Sequence, residues 1–304
     1  MSVILTAIGT VMPVEGARTL PESLDLKARI GGKGLRSVDR LGLMTLAACQ
    51  DAMDDALAPD GVGVVLGTAF GALRSVTDFF TERLREGPRL VTPSNFGSIV
   101  MNAAAGQVAV RHGFTALNAT LTSGSASGLD ALGLAADLLR AGRASALLAG
   151  GADDLSPDAQ RALEALGWTA AGYAAREAAV VLRLEREDLS RSPGLARLVA
   201  HATAFDPGVL LGRAPSVEVA KRVLNGVAQG AKRAIAGRSG LKALDAATES
   251  TLAGFSVQFV DDALAATGPL AVLPALEGLG AGERVVVYVA SPSGHHSALL
   301  LEGV

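Results

Sequence analysis

Cysteine and aromatic side chains are scarce in this 304-residue chain. The one cysteine, Cys49, excludes an internal disulfide framework and is typical of a protein kept in a reducing compartment. Cys49 lies in an apolar helical pattern, which predicts a buried side chain rather than a reactive thiol. Phe, Trp and Tyr make up 4% of the residues. The core therefore has to be built from Ala, Leu and Val, whose small side chains let helices and sheets approach closely.

A large excess of positive or negative charge is missing as well, and so are long apolar runs. The formal net charge is −3 with no strongly basic stretch, which argues against a nucleic-acid partner. No apolar run reaches the roughly 18 uncharged residues that a membrane-spanning helix needs, and the first residues lack the basic start of a leader peptide. No group of His, Cys, Asp and Glu has metal-ligand spacing, and no dinucleotide-binding pattern follows a strand. We therefore predict a cytoplasmic globular protein without a metal or other cofactor.

Short β-rich runs alternate with Ala- and Leu-rich helical segments over the first part of the chain. This alternation predicts βαβ units and a largely parallel sheet. A Ser/Arg/Pro/Gly break at 190–194 divides the chain into a first half, residues 1–190, and a shorter second half, residues 191–304, which together form one compact domain. In the second half the patterns predict a strand at 195–205, a long helix at 216–236, a weak strand at 243–248, a helix at 257–266 and a closing hairpin with strands at 284–291 and 297–302.

The segment SGSASG, residues 123–128, joins a short apolar run to a long helix. The helix predicted at 126–141 is apolar nearly all round, which indicates a helix buried on all faces between two sheets. Three serines and two glycines stand at its start, where strand-to-helix junctions often place a nucleophile. A G-x-S-x-G elbow is absent, because the residue at the centre of 124–128 is Ala126.

Five segments resemble one protein family. Four of them follow each other at family spacing through most of residues 1–190, and they read SVDRLGLMTLAACQDAM, VGVVLGTAFGAL, TPSNFGSIVMNAAAGQVAVRHG and NATLTSGSASGLDALGLAADLLRAGRASALLAGGADDLS. The fifth, VASPSGHHSALLLE at 289–302, is a looser match to the closing loop of that family. Together these segments resemble the β-ketoacyl-acyl-carrier-protein synthases of the thiolase fold.

The resemblance implies both a fold and a chemistry. It implies a thiolase-like α/β fold of five layers, αβαβα, made of two related halves with the second truncated, and dimerisation through the first half. In the family a cysteine stands where the central buried helix begins, and the helix N-terminus lowers its pKa so that the thiolate takes an acyl chain from a carrier protein. Two histidines of the second half then help to decarboxylate a malonyl group and hold the developing enolate oxygen.

The chain departs from the family at each of these chemical positions. Ser125 stands in the place of the cysteine, and neither histidine motif occurs in the second half. A serine hydroxyl at a helix terminus needs a base within hydrogen-bond reach before it can attack. By the resemblance, the terminal loop with His295 and His296 passes near Ser125, so either histidine is a candidate base. The alternative is that both pack in the core or face solvent.

Retained dimer-forming segments and lost catalytic groups predict a non-catalytic subunit of the chain-length-factor type. In type II polyketide and polyene systems such a subunit pairs with an active, cysteine-containing ketosynthase and closes the end of a shared tunnel. Each buried methylene of the growing chain contributes roughly 0.8 kcal/mol, and overpacking at a wall costs roughly 1–3 kcal/mol. By the resemblance we predict Phe96, Ile99 and Met101 as wall residues with Asn102 beside them. For each of these, ordinary interface packing is the alternative.

Two further functions stay open. Ser125 with His295 or His296 would make an acyltransferase or esterase on a thiolase scaffold. The second of these functions is that of a homodimeric protein that binds acyl chains. The expected partners are the active ketosynthase and an acyl-carrier protein, with neither nucleic acid nor membrane among them.

Overall fold

A computed structural model describes residues 1–53, 59–87, 89 and 93–304. In chain order, its strands are β1 (Val3–Val11), β2 (Val62–Gly67), β3 (Asn118–Leu121), β4 (Ala146–Asp153), β5 (Ala178–Arg186), β6 (Ala196–Phe205), β7 (Arg233–Arg238), β8 (Ser256–Asp261), β9 (Arg284–Ala290) and β10 (His295–Glu302). Its α-helices are α1 (Leu26–Ile30), α2 (Arg40–Ala52), α3 (Leu73–Glu86), α4 (Ala103–His112), α5 (Ser127–Arg140), α6 (Pro157–Ala165), α7 (Pro207–Leu210), α8 (Val217–Val227), α9 (Lys242–Thr251) and α10 (Thr267–Leu276). A 3₁₀ helix spans Pro93–Ser98.

The strands form a sheet in the order β3-β2-β4-β5-β1-β6-β10-β9-β7-β8. Its two ends repeat one pattern. The strands β3, β2 and β4 are parallel to one another, as are β8, β7 and β9, and each trio is followed by two antiparallel strands. The two groups join where β1 pairs with β6, at Val3↔Leu198, Ile4↔Arg197 and Leu5↔Ala196. The parallel strands predicted from the βαβ alternation are thus the outer trio of each group.

The second half is shorter but keeps the repeated strand pattern. In the described part of the chain, each group contains five strands. The second half is therefore shorter than the first in the segments that connect its strands, and not in the number of strands described. The predicted division after residue 190 lies between the end of β5 at Arg186 and the start of β6 at Ala196, and it stays a prediction.

The helices stand in three layers around the two groups of strands. Between the groups lie α5 and α10, whose buried residues pack with strand residues of both groups. The outer face of the first group is covered by α2 and α4, and that of the second by α8 and α9. The layers therefore run helix, sheet, helix, sheet, helix. This confirms the predicted five-layer α/β fold and the burial of the helix after SGSASG.

Small residues let the two central helices approach. A Cβ added at Gly268 would lie 2.6 Å from the Leu129 Cβ, and one at Gly128 would lie 2.2 Å from the Ala265 carbonyl oxygen. Neither position can take a side chain without movement of its neighbour. The close approach follows from a core that is poor in aromatics and rich in Ala, Leu and Val.

Three predicted elements of the second half were wrong. Residues 216–236 form α8 and then β7, because the chain turns between them at Gly230, whose φ is 78°. Residues 243–248 lie within α9 instead of a strand. Residues 257–266 contain most of β8 and the turn before α10, rather than a helix. The strand predicted at 195–205 and the closing hairpin are confirmed by β6, β9 and β10.

Candidate functional site

The chain makes a tight turn between β3 and α5. Gly124 has a φ of 61°, in the left-handed region that glycine tolerates. The Ser127 hydroxyl donates to the Gly124 carbonyl at 2.6 Å and accepts from the Ser123 amide at 2.7 Å. Ser125 lies inside this turn, two residues before α5 begins. The residue that the sequence singles out is therefore held at the amino end of the central helix.

Residues 263–267 repeat the same turn before α10. Here Leu264 has a φ of 53°, and the Thr267 hydroxyl donates to the Leu264 carbonyl at 2.7 Å while accepting from the first amide of the turn at 2.8 Å. Ala265 occupies the place that Ser125 has in the first turn. Both halves thus contain the turn. At the position of Ala265 the first half has a hydroxyl, that of Ser125.

The Ser125 hydroxyl belongs to a buried chain of hydrogen bonds. Its Oγ lies 3.3 Å from the Tyr173 hydroxyl, which donates to Asp262 Oδ1 at 2.8 Å. The Leu264 amide donates to the same carboxylate oxygen at 2.8 Å. All three side chains of the chain Ser125–Tyr173–Asp262 are buried. Tyr173 and Asp262 are not recognisable from the sequence, since a tyrosine in a Gly/Ala-rich loop and the second of two adjacent aspartates form no motif.

Burial determines the pKa values of Asp262 and Tyr173 in this series of hydrogen bonds. Burial raises the pKa of Asp262 to about 6, against the opposing effect of the Tyr173 hydrogen bond. Burial, together with the Asp262 charge, raises the pKa of Tyr173 well above its usual value. At neutral pH Asp262 is therefore mostly ionised, while Tyr173 stays protonated and donates to it. Ser125 thus contacts a phenol in place of a strong base, and its hydroxyl is a weak nucleophile.

The backbone amide of Ser125 is also occupied. It donates to Ser291 Oγ at 3.1 Å. Ser291 Oγ lies 2.8 Å from Ser293 Oγ, which lies 3.1 Å from His295 Nδ1. A free amide at the start of a helix can stabilise an oxyanion, but here Ser291 satisfies it. These contacts connect His295 to Ser125 through two serines and not directly.

His295 and His296 point to opposite faces of β10, because successive residues of a strand alternate. His295 lines the cavity beside Ser125. His296 Nδ1 lies 2.7 Å from the Tyr288 hydroxyl, in the outer core of the second group of strands. Burial lowers the pKa of both histidines below the usual value, so both are neutral at pH 7. The structure thus brings one of the two candidate bases to the cavity and places the other outside its lining.

A cavity of about 330 Å³ lies over Ser125. Its volume is at the lower end of the range for small-ligand sites. Beside Ser125, it is bounded by polar groups of Tyr173, Ser293 and His295. Its apolar wall consists of Ala69, Phe70, Leu166, Trp168, Leu264 and Pro292. This lining suits an apolar group with one polar end.

Asp153 fixes part of that wall. Its carboxylate accepts from the Thr68 hydroxyl at 2.8 Å, from the amides of Ala69 and Phe70 at 2.8 and 2.9 Å, and from the Ala265 amide at 3.0 Å. Burial raises its pKa, and these hydrogen bonds oppose the rise. One carboxylate therefore ties the end of β2 to the turn of the second half.

The predicted wall residues lie on the surface of the chain. Phe96 is 64% exposed, and Met101 is 45% exposed and packs over Gly71. Ile99 is half-buried and Asn102 is exposed. None of the four is among the described residues that line the Ser125 cavity. Any tunnel that these four residues close would be separate from the Ser125 cavity.

Other chemistry is sparse in the described residues. Cys49 is buried in α2, and burial raises its pKa, in agreement with the predicted structural role. Over the ranges that the structure describes, no group of three or more His, Cys, Asp and Glu side chains is placed to hold a metal ion. In the same ranges no helix is both long and apolar enough to cross a bilayer.

Comparisons with known proteins agree with the fold. Residues 7–180 match the family model described as "Beta-ketoacyl synthase, N-terminal domain". A putative mitochondrial 3-oxoacyl-[acyl-carrier-protein] synthase of Schizosaccharomyces pombe is 32% identical over 126 residues, 39% of this chain and 30% of the relative. The tetracenomycin polyketide synthase ketoacyl synthase beta subunit of Streptomyces glaucescens is 28% identical over 262 residues, 76% of this chain and 64% of the relative.

The structural similarity extends over the whole chain. The ishigamide ketosynthase/chain length factor matches with a TM-score of 0.79 at 21% identity and covers 100% of both chains. This match confirms the thiolase-like fold. In sequence, the chain spans between 30% and 64% of the length of the two curated relatives named above. The family match takes in more than half of the chain, including Ser125 and the strands on either side of it, and the chain therefore belongs to the β-ketoacyl synthase family.

Proposed function

We propose that this chain is a non-catalytic ketosynthase-like subunit of the chain-length-factor type. It pairs in the cytoplasm with a cysteine-containing β-ketoacyl synthase and shapes the cavity for the growing acyl chain. The observation that carries this proposal is the state of the nucleophile position. An acyl-transfer nucleophile needs a base and a free donor for the oxyanion. Among the described residues, the Ser125 hydroxyl contacts a phenol and its amide is bonded to Ser291.

Exposed apolar side chains support the choice of a protein partner. The outer apolar surface consists of side chains on α3, the 3₁₀ helix, the link that follows it and α4 that are between 41% and 85% exposed: Phe80, Leu84, Phe96, Val100, Met101 and Val110. The helix α3, described in full, has no buried residue. The 3₁₀ helix contacts both α3 and α4, and exposed apolar side chains on adjoining elements are typical of an interface. A partner that covers this surface would bring Phe96 and Met101 against its own cavity.

The sheet also offers an open edge beside this surface. Among the described strands, β3 stands at the end of the sheet and pairs with β2 on one side. An unpaired edge exposes backbone donors and acceptors that another strand can satisfy. Part of the partner's sheet would therefore continue from β3 while its helices cover the outer apolar surface.

The names of two relatives support the class of system. One is named a ketoacyl synthase beta subunit of a polyketide synthase, and the other a putative 3-oxoacyl-[acyl-carrier-protein] synthase. We extend these roles to this chain as parts of the proposal. The pair would elongate a type II polyketide, polyene or fatty-acid-like chain delivered by an acyl-carrier protein, and this subunit would supply no cofactor.

Co-expression tests the partner. The tagged chain is produced together with a cysteine-containing β-ketoacyl synthase from the same genome, and the purified material is sized by light scattering. We expect an equimolar heterodimer. Val110→Asp, at a position that is 85% exposed on the outer apolar surface, should abolish it, whereas Leu189→Asp, at an exposed position after β5, should not. Recovery of this chain as a homodimer alone, with the ketosynthase present, would overturn the proposal.

A Ser125-dependent acyltransferase or esterase is the second candidate. The observation that favours it is the path from Ser125 through Tyr173 to the carboxylate of Asp262. Incubation with an acyl-carrier-protein thioester followed by intact-mass measurement tests it. An acyl adduct on the wild-type chain that is absent from Ser125→Ala would support the enzyme and exclude the non-catalytic subunit. A homodimer that retains acyl chains without an adduct would favour the acyl-holding protein instead.

A further inference from the structure

A second cavity, of about 280 Å³, lies beside the hydrogen-bonded side chains of Tyr173 and Asp262. It lies at the ends of β7 and β8, and its lining includes Ala174 and Asp261, the direct neighbours of Tyr173 and Asp262. The described lining also contains Arg18, Arg176 and Arg238, opposed by one carboxylate, that of Asp261. We call it the arginine cavity.

Hydrogen bonds to the backbone hold the segments of the three arginines together. Arg18 Nε donates to the Ala175 carbonyl at 2.8 Å. The Arg176 amide donates to the Asp262 carbonyl at 3.0 Å, and the Asp262 amide donates to the Arg238 carbonyl at 3.0 Å. The three side chains therefore start from segments that are bonded to one another, so their positive charges gather without any rearrangement of the fold.

The guanidinium groups are not fully satisfied within the chain. Arg176 Nε is buried and has no hydrogen-bond partner. A buried donor without an acceptor costs free energy, most of all on a charged group. Arg238 is held in place from two sides, by Glu249 Oε1 at 3.1 Å from Nη2 and by the Phe259 ring centroid at 4.2 Å from its guanidinium carbon. An anion that accepts from Arg176 would supply the acceptor that the protein lacks.

We propose that the arginine cavity binds a phosphate group. Guanidinium groups present paired N–H donors that match phosphate oxygens, and phosphate carries more charge and more acceptors than a carboxylate. The three arginines face Asp261 in the lining, and Arg238 is also paired with Glu249, so these groups leave a net positive charge at the cavity. The phosphate is either free inorganic phosphate or the phosphate of an ester that carries an uncharged tail. The phosphopantetheine arm of a carrier protein is such an ester, and this second source rests on the proposed function.

Isothermal titration calorimetry of the full chain tests the site. The probes are inorganic phosphate, pantetheine 4′-phosphate and acetate, in an uncharged or cationic buffer at constant ionic strength. We expect saturable binding of the two phosphates and much weaker binding of acetate. Arg176→Gln should weaken phosphate binding about tenfold, as the loss of a charge-assisted hydrogen bond does. Arg18→Gln, at an exposed position, gives an independent measurement if Arg176→Gln fails to fold.

Arg143→Gln is the matched control, because Arg143 is exposed in the turn before β4, at the opposite end of the strands. It should leave the affinity unchanged. Tighter binding of pantetheine 4′-phosphate than of inorganic phosphate would identify the carrier arm as the source, and equal affinity would identify free phosphate. Absence of saturable binding, affinity retained in both Arg176→Gln and Arg18→Gln, or acetate binding as tightly as phosphate would overturn the site. None of these outcomes changes the co-expression result, so failure of this site and of the proposed function are distinguishable.

Discussion

Replacement of Tyr173 by phenylalanine removes one hydroxyl from the middle of the buried chain. That hydroxyl donates to Asp262 at 2.8 Å and contacts Ser125 Oγ at 3.3 Å. A hydrogen bond to an ionised group contributes about 1.5–3 kcal/mol, and one between neutral groups about 0.5–1.5 kcal/mol. We therefore expect Tyr173→Phe to lower the free energy of unfolding by about 2–4 kcal/mol at pH 8.

The loss depends on pH because the acceptor is a carboxyl. The pKa of Asp262 is raised to about 6 in the folded protein, above the value of about 3.9 in an unfolded chain. Asp262 therefore stabilises the fold while it is protonated, and this stabilisation is lost as the pH rises through 6. The Tyr173 hydrogen bond favours the charged form, so its removal raises the pKa of Asp262 further. At pH 5, where Asp262 is mostly protonated in both proteins, the deficit of the variant should be smaller than at pH 8.

Urea unfolding at pH 5 and pH 8 measures both effects. Tyr288→Phe is the matched control, because the Tyr288 hydroxyl is equally buried and lies 2.7 Å from His296 Nδ1, with no carboxyl in the contact. For the control we expect a loss of about 1 kcal/mol at pH 8, where His296 is neutral because burial lowers its pKa. A deficit for Tyr173→Phe that is equal at pH 5 and pH 8, or that stays within about 0.5 kcal/mol at pH 8 as surface changes do, would refute the reasoning.

Three further changes give separate tests. Asp154→Asn should raise the free energy of unfolding by about 2–4 kcal/mol at pH 8 and by about 1–2 kcal/mol at pH 5, because burial raises the pKa of Asp154 to about 7; a pH-independent change in urea unfolding would contradict this. Gly133→Ala in α5 should lower the melting temperature, since its Cβ would lie 2.2 Å from the His201 ring, whereas Gly106→Ala in α4 meets nothing within 4 Å and should raise it. Equal shifts of the two in calorimetry would count against the packing described. Phe96→Ala, assayed with the partner, should lengthen the products, and an unchanged product distribution would exclude Phe96 from the tunnel wall.

The first half of the fold was predictable because its turns and strands are marked in the sequence. The turn before α5 contains Gly124 at a positive φ, and the helix after it is apolar on every side. In the second half the corresponding turn contains Leu264 at a positive φ. With neither glycine nor proline to mark the turn, most of β8 and the turn after it read as one helix at 257–266. Tertiary packing, and not local propensity, holds Leu264 in that conformation.

The candidate site was predictable at one residue and not at its partners. Ser125 stands out because it lies between a strand and a buried helix. Tyr173 lies 48 residues from Ser125 in the chain, and Asp262 lies 89 residues beyond Tyr173. Their contact depends on how the two halves pack across α5 and α10, which no local pattern encodes. Ser291 was likewise visible only as part of the terminal loop, although it occupies the Ser125 amide.

Ser125 carries no acyl chain in the proposed heterodimer, and product formation by matched variants of the pair tests this most directly. The purified pair is supplied with carrier-protein-bound substrates, and the products are quantified by mass spectrometry. Replacement of the partner's cysteine by alanine should abolish product formation, while Ser125→Ala should leave its rate within about twofold of the wild-type pair, since a factor of two corresponds to only about 0.4 kcal/mol in the barrier. Loss of product formation in Ser125→Ala, with the heterodimer still intact, would show that Ser125 reacts and would contradict the non-catalytic role.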